Sequence, residues 1–246
     1  MKVFALTQIR FSSNRLPGKI LKKFGGKTFL DVFLQRLKQI KNIDGVICAV
    51  ANEKNNKKIL DIVKKNKCLI FIGSKDNVFE RIYKAGKKFN ADIILRVTSD
   101  CPLVDPKICE SAINKLKIGN YDYVSNNLEP SFPHGLDCEA FRFKILNQSK
   151  KILESTNDQS IKEHVTSHIK KNKNIKKYNI KSNLKLNRYE RWTLDNKIDL
   201  KFFKELSKYI NDKDLIKIQW KDILKIINKN KNLQKINNTT HHFWFE

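Results

Sequence analysis

Short apolar runs alternate with segments of helical spacing through the first part of the chain, and this alternation limits the possible folds more than any other feature. Val3–Ile9 and Gly45–Ala51 have the apolar character of buried strands, and residues 28–40 place apolar side chains at helical spacing after Thr28, a candidate N-cap. Further strands are predicted over 68–72 and 92–97, and further helices over 55–65 and 78–89. Strands that alternate with helices form βαβ units. We therefore expect an α/β fold with a mostly parallel central sheet and helices on both faces.

The pattern is looser after residue 105. A helix is predicted over 106–116, a short strand over 121–126, a helix over 160–170 and a strand-like run over 191–195. Residues 130–143 are irregular and rich in Pro, Gly and aromatic residues, which is typical of a segment that builds a site. Because no Gly/Ser/Pro linker precedes the amphipathic helices predicted over 200–210 and 220–228, we expect one domain over 1–246 with C-terminal helices from about 200.

Lys and Arg number 50 against 25 Asp and Glu, a net charge of +25 that would suit a polyanionic partner. Most of these basic residues are lysines among Asn and Ile, without the interleaved aromatic residues that bind nucleic acid. A biased composition explains the charge, and we expect no nucleic-acid partner. The chain has no apolar run long enough to span a membrane and no signal-peptide pattern, so we expect a cytoplasmic protein without a membrane partner.

A basic loop follows the first strand, at the sheet edge where open α/β folds bind ligands. It contains Arg10, Arg15 and Lys19, together with Ser12 and Ser13. Arginine forks match phosphate oxygens and lysine adds a point charge, so the loop suits a triphosphate. It lacks the GxxxxGK[ST] pattern of a Walker loop. The alternative is a solvated basic turn.

Acidic residues and histidines add candidates for the chemistry. Asp100 follows a buried strand and is predicted to bind Mg²⁺ beside the basic loop, the alternative being a cap on the helix near Pro106, for which Asp105 is better placed. His134, Asp137 and Glu139 share the irregular segment and are predicted to bind a hydroxyl-rich acceptor. The alternative for His134 is a neutral turn residue.

His164 lies in a helical pattern, where it would orient or deprotonate the acceptor. A core or surface histidine is an equal alternative. The five cysteines show no metal or redox spacing, so we expect reduced thiols.

The basic loop QIRFSSNRLPGKIL resembles the N-terminal signature of sugar cytidylyltransferases, in particular the SpsF-like branch related to the CMP-Kdo and CMP-sialic acid synthetases. The family pattern is approximately A-R-x-G-S-x-R-L-P-G-K, and Ser12 stands where the family has Gly. Five further segments resemble the family in order: 73–85, 96–106 with Ser99 in place of Gly, 132–141 with His134 in place of an acid, 162–169 and 191–200.

The resemblance implies a Rossmann-like nucleotide-diphospho-sugar transferase fold with a sheet of about seven strands. It also implies nucleotidyl transfer, in which an acceptor hydroxyl or phosphate attacks the α-phosphorus of CTP and pyrophosphate leaves. Arg10, Lys19 and Asp100 are the catalytic candidates. A small sugar-acid-like or phosphorylated acceptor, a role in surface polysaccharide or glycan biosynthesis, and a homodimer are further expectations.

Three site residues are implied by the resemblance alone. Asp195 would join Asp100 at Mg²⁺, and Ser74 and Arg81 would line the nucleotide pocket. The alternatives are that Asp195 is the N-cap of a helix near Lys197, that Ser74 caps the helix near residue 77, and that Arg81 pairs with a surface acid. A GT-A-type glycosyltransferase is a second enzymatic reading, but no D-x-D motif follows a strand.

Overall fold

A central sheet of seven strands organises the chain, which is seen here in a computed structural model that describes residues 1–156, 162–186 and 189–237. Nine strands are described, seven of which form this sheet. They are β1 Val3–Ile9, β2 Lys23–Phe24, β3 Lys27–Thr28, β4 Gly45–Ala51, β5 Leu69–Gly73, β6 Ile93–Arg96, β7 Tyr123–Ser125, β8 Glu139–Arg142 and β9 Lys177–Asn179. The order in the sheet is β5-β4-β1-β6-β8-β7-β9, and β2 pairs with β3 in a separate hairpin.

Ten helices are described, together with a 3-10 turn at Lys19–Leu21. They are α1 Phe29–Leu37, α2 Lys57–Lys65, α3 Val78–Lys88, α4 Pro106–Ile118, α5 Lys144–Thr156, α6 Ser167–Lys171, α7 Lys197–Leu206, α8 Asp212–Lys217, α9 Trp220–Lys229 and α10 Lys231–Asn237. None of the helices in the described ranges is long and apolar enough to cross a membrane.

The sheet confirms the expected fold class. β1 pairs in parallel with β4 and β6, β4 pairs in parallel with β5, and β8 runs antiparallel between β6 and β7. Alternate residues of β1 enter two separate cores: Ala5 packs with α1, whereas Phe4 and Leu6 pack with α3. Helices therefore cover both faces, which explains why the central strands are apolar throughout.

The helix starts follow the local capping chemistry. The Thr28 hydroxyl accepts a hydrogen bond from the Asp31 amide at 3.1 Å, and Asp105 accepts one from the Lys107 amide at 2.9 Å ahead of Pro106. Both predicted caps are confirmed, so the Asp100 carboxylate is not needed to cap α4.

Several elements differ from the prediction. Helix α5 was not predicted, and β8 lies inside the segment predicted to be irregular. The strand-like run predicted over 191–195 is not a strand of the sheet, and within the described ranges only Arg191 of this run forms a bridge, with His134. Of the helix predicted over 160–170, residues 162–163 are helical, residues 164–166 interrupt it, and α6 begins at Ser167. Residues 157–161 lie outside the described residues.

The C-terminal helices share the core that covers one face of the sheet. The Phe203 ring of α7 lies 5.2 Å from the rings of both Phe24 and Phe29. Arg36 of α1 is fully buried, and its guanidinium donates to the carbonyls of Val104 at 2.8 Å and Ile218 at 2.9 Å. The core and this arginine thus join the C-terminal helices to the segment after Asp100.

Candidate active site

The basic loop folds back on itself before it reaches Lys19. Gly18 has a φ of 63°, in the left-handed region that favours glycine, and its amide donates to the Phe11 carbonyl at 3.2 Å. The Leu16 amide donates to the Ser13 hydroxyl at 3.4 Å. This closure turns Lys19 towards the carboxyl ends of β1 and β6, where a ligand is expected.

Lys19 lies between two carboxylates. Its ammonium donates to Asp100 Oδ2 at 3.1 Å and to Asp195 Oδ1 at 3.0 Å. Arg15 Nη2 lies 3.2 Å from Asp195 Oδ1, and Arg191 Nη2 donates to Asp195 Oδ2 at 2.9 Å. We call these five residues the Lys19 cluster. The structure therefore brings together the predicted residues Arg15, Lys19, Asp100 and Asp195, although the last two are far apart in sequence.

Local hydrogen bonds explain why Asp195 reaches the cluster. The Leu194 amide donates to the Asp100 carbonyl at 2.8 Å, so the two acidic segments run side by side. The N-cap of α7 is Asn196, and the Asp199 carboxylate accepts from the Asp195 amide at 2.7 Å. The alternative that Asp195 is the N-cap is therefore wrong, and its side chain is available to the cluster.

The charges of the cluster support one another. Burial alone would lower the pKa of Lys19, but the charges of Asp100 and Asp195 outweigh it, and the pKa is raised. Burial would raise the pKa of Asp195, but Lys19, Arg15 and Arg191 lower it. Lys19 and Asp195 are therefore both charged near neutral pH.

The two carboxylates fit a hard divalent cation. Both accept from the Lys19 ammonium, and the Asp100 side chain is 30% exposed. Within the described residues, no group of three or more His, Cys, Asp or Glu residues could hold a metal ion. Mg²⁺ commonly takes only one or two carboxylates and completes its shell with water and phosphate oxygens, so this pair suits it in the presence of a nucleotide.

A cavity of about 550 Å³ lies along the basic loop. It is lined by Phe11, Ser12, Ser13, Asn14, Pro17, Asn52, Glu53, Lys54, Asn55 and Lys75. Arg10 is exposed nearby, and burial together with the charge of Arg10 lowers the pKa of Arg81 to about 10.

The predicted nucleotide-pocket residues lie beside this cavity. The Ser74 hydroxyl accepts from the Asn77 amide at 3.1 Å, but Asn77 itself is the N-cap of α3. Arg81 is buried and donates to the carbonyls of Ser74 and Lys75, and in the described part of the chain it forms no salt bridge with an acid. The alternatives of a Ser74 cap and a surface ion pair of Arg81 are therefore wrong.

A second cavity has a volume of about 770 Å³. It is lined by Asn126, Asn127, Pro130, Ser131, Phe132, His134, Asp137, Ser182, Asn183, Leu184, Lys185, Leu186, Tyr189 and Glu190. Its wall is close to the cluster because Arg191 Nη1 lies 3.4 Å from His134 Nδ1.

Gly135 allows this close approach. It has a φ of 106°, and a Cβ there would lie 2.5 Å from the Trp192 carbonyl group. The Trp192 amide donates to the His134 carbonyl at 2.6 Å, and the Tyr189 hydroxyl lies 2.8 Å from His134 Nδ1. Burial lowers the pKa of His134 and raises that of Asp137, whose carboxylate is 3.9 Å from His134 Nε2.

Two residues predicted to bind the acceptor lie elsewhere. Glu139 is buried, and its carboxylate accepts from Arg96 at 2.5 Å, Tyr123 at 2.6 Å and Thr166 at 2.8 Å. It faces this polar network and not the cavity. His164 is exposed and is not among the residues that line the cavity.

A family model described as cytidylyltransferase matches residues 4–221. This chain belongs to the cytidylyltransferase family. It is therefore a CTP-dependent nucleotidyltransferase, and this assignment replaces the glycosyltransferase alternative.

The chain is similar to the following known proteins. A cytidylyltransferase structure from Leptospira borgpetersenii has a TM-score of 0.89 and 30% identity, and the match covers 99% of this chain and 100% of that one. An uncharacterized protein of Methanocaldococcus jannaschii is 32% identical over 96% of this chain and 95% of its own. The spore coat polysaccharide biosynthesis protein SpsF of Bacillus subtilis is 28% identical over 68% of this chain and 70% of its own.

Sequence reasoning missed three residues of this candidate site. Glu53 follows β4 and binds the start of the basic loop, and its position at the carboxyl end of a strand was the available signal. Arg191 and Asp199 form an ion pair, Nε to Oδ1, at 3.0 Å behind Asp195. Both lie in the segment that resembles the family, but their spacing alone does not reveal a contact with Asp195.

Proposed function

We propose that this cytidylyltransferase uses Mg²⁺ and CTP to activate a small sugar-acid-like or phosphorylated acceptor, releasing pyrophosphate. The observation that carries the proposal is the Lys19 cluster, because it is connected to residues of both cavities. Its loop lines the 550 Å³ cavity, and Arg191 connects Asp195 to His134 in the 770 Å³ cavity. A triphosphate on one side and an acceptor on the other would meet at this cluster.

The reaction calls mainly for alignment and charge neutralisation. The acceptor oxygen forms a bond to the α-phosphorus, while the bond from that phosphorus to the bridging oxygen breaks and pyrophosphate leaves. A hydroxyl acceptor releases its proton to water, whereas a phosphate acceptor attacks as an anion. Arg10, Ser13, Arg15 and Lys19 would bind the triphosphate and stabilise charge on the leaving group. Ser12 shapes the loop, and Ser74 and Arg81 would hold the base.

Asp100 and Asp195 would hold Mg²⁺, which supplies charge neutralisation at the phosphate oxygens when bound. The Lys19 ammonium already bridges both carboxylates, so it keeps them together near the triphosphate. Arg191 holds the second oxygen of Asp195, which fixes the direction of that carboxylate.

The acceptor would lie in the larger cavity, where His134 and Asp137 provide polar groups and Phe132 provides an aromatic wall. The resemblance to CMP-Kdo and CMP-sialic acid synthetases supports a sugar acid, and the similarity to SpsF supports a role in polysaccharide or glycan biosynthesis. A cytoplasmic location and a homodimer stay predictions.

A pyrophosphate-release assay tests the proposal. CTP and MgCl₂ are supplied with a panel of sugar acids and sugar phosphates, and each active acceptor is repeated with UTP, ATP and GTP. We expect CTP to be preferred over UTP by about one to two orders of magnitude, because a mismatched base leaves buried polar groups unpaired. Equal rates with UTP would contradict the specificity, and no release with any acceptor of the panel would contradict the proposed acceptor class.

A further inference from the structure

Glu53 is an acidic residue in the wall of a cavity that should hold a triphosphate. It follows the end of β4, and its Oε2 accepts from the Phe11 amide at 2.7 Å and from the Ser12 amide at 3.2 Å. The Ser12 hydroxyl donates to Oε1. The carboxylate therefore binds three donors at the very start of the basic loop, and its side chain is only 8% exposed.

This carboxylate is charged at neutral pH. Burial would raise the pKa of Glu53, but hydrogen bonds from the Ser12 hydroxyl and from the amides of Phe11 and Ser12 lower it. Lys75 Nζ lies 3.9 Å from Oε1 and offsets part of the negative charge. An anion beside a triphosphate site opposes CTP binding by repulsion. Glu53 must therefore make a favourable contribution to the site that exceeds this repulsion.

The benefit is found at Ser12. The family pattern has Gly there, but within the described residues the non-glycine residues with positive φ are Asn42, Lys67 and Asn90, so Ser12 keeps an ordinary backbone conformation. The serine hydroxyl gives Glu53 a third donor that glycine would lack. Ser12 and Glu53 thus act as a pair that fixes the backbone one residue before Ser13.

We propose that Glu53 is a positioning residue for the triphosphate loop. By holding the amides of residues 11 and 12, it directs Arg10 and Ser13 towards the CTP phosphates and lowers the conformational entropy lost on binding. The inference rests on the proposed CTP site. In the opposite role, the Glu53 carboxylate would occupy a phosphate position until CTP displaces it. That displacement would separate a buried charge from its three hydrogen-bond donors, which is unfavourable.

Calorimetric titration of CTP with MgCl₂ into the full chain tests the role without an identified acceptor. We expect Glu53→Ala to raise the Kd for CTP about tenfold, and Glu53→Gln, which keeps the side-chain length and an acceptor oxygen, to stay within about threefold of the wild type. Ser12→Ala should weaken binding about threefold alone but add nothing in the Glu53→Ala background, because both changes break the same contact. Asp61→Asn, an exposed acid on α2, is the matched control and should match the wild type.

Tighter CTP binding by Glu53→Ala would overturn the proposal in favour of the displaced carboxylate. An unchanged Kd for CTP in Glu53→Ala would also overturn the proposal, because Glu53 would then have no influence on the CTP site. If Glu53→Ala fails to fold, Glu53→Asp replaces it as the test, because it keeps the charge but moves the carboxylate away from the amides of residues 11 and 12. An unchanged Kd for CTP in Glu53→Asp would again overturn the positioning role. A wild-type chain that binds no CTP would contradict the proposed function itself, a result distinct from all of these.

Discussion

Lys19 illustrates how single residues define this site. Its ammonium is largely buried and bonds both Asp100 and Asp195, which without it would face each other as like charges. Such a group is worth more in a partly desolvated site than at the surface, where ion pairs contribute about 0–1 kcal/mol. The position of Lys19 on the closed loop thus links the triphosphate pocket to the proposed metal ligands.

Lys19→Ala should lower kcat/KM for CTP about a hundredfold while the chain stays folded. The fold persists because Arg15 and Arg191 still pair with Asp195. Steady-state kinetics and circular dichroism check both parts. Lys23→Ala removes an exposed lysine that donates to the Gly26 carbonyl and serves as the control. Near-normal kinetics of Lys19→Ala would contradict the role of the loop.

Asp100→Asn and Asp195→Asn should each raise the Mg²⁺ concentration needed for half-maximal activity, by about tenfold or more, because each removes an anionic oxygen from a hard cation. Activity is measured as a function of MgCl₂ at saturating CTP. Glu110→Asn, at an acid that accepts from the Lys41 amide far from the cluster, is a control with an unchanged requirement. A variant of either aspartate with a wild-type requirement would remove that residue from the metal site.

At the scale of elements, the sequence predicts the strands that are apolar and buried on both faces. β1 and β4 have the expected bounds. The prediction did not include α5, because its apolar residues are spread among lysines and polar residues. β8 is a short strand between two antiparallel neighbours, and neither its length nor its pattern separates it from the irregular segment around it. Long-range pairs such as Glu53 with Ser12 leave no periodic signal, so the site could be predicted only in part.

The Glu139 network joins three strands to α6. Burial would raise the pKa of Glu139, but Arg96, Lys170 and Tyr123 lower it to about 2. Because this pKa lies below that of an unfolded glutamate, the stabilisation is complete above about pH 5 and is lost as the pH falls towards 2. The network therefore makes the junction of β6, β7 and β8 sensitive to acid.

Glu139→Gln should lower the free energy of unfolding by about 3 kcal/mol at pH 7, with a smaller loss at pH 3, since it removes one partner of a buried ion pair. Urea denaturation at several pH values measures both. Glu129→Gln, at an exposed residue paired with Lys181, should leave the free energy of unfolding unchanged, because solvent screens this ion pair. A loss that does not depend on pH would show that the charge of Glu139 contributes nothing.

At the scale of the whole molecule, Arg36 connects parts that are distant in sequence. It donates to carbonyls of Leu103 and Val104 after the Asp100 segment and of Leu215 and Ile218 in the C-terminal region. Burial lowers its pKa to about 10, so it remains protonated near neutral pH. The C-terminal helices, predicted from about residue 200, begin at Lys197, and no pattern in the sequence indicated this arginine contact.

Arg36→Ala should lower the free energy of unfolding by about 3–5 kcal/mol, because several buried carbonyls lose their donor. Urea denaturation followed by Trp fluorescence and by circular dichroism measures this loss. Gln39→Ala, two residues after the end of α1, removes exposed bonds to the carbonyls of Gln35 and Ile216 and should cost about 1 kcal/mol or less. Equal effects of the two substitutions would contradict the role given to Arg36.

A crystal structure of the chain with CTP and MgCl₂ tests the central claim most directly, because it locates the nucleotide without knowledge of the acceptor. We expect triphosphate oxygens within hydrogen-bond distance of Ser13 and Lys19, a metal ion bound by Asp100 and Asp195, and the cytosine beside Arg81. Nucleotide bound away from the basic loop, or a metal ion that contacts neither aspartate, would contradict the proposed site.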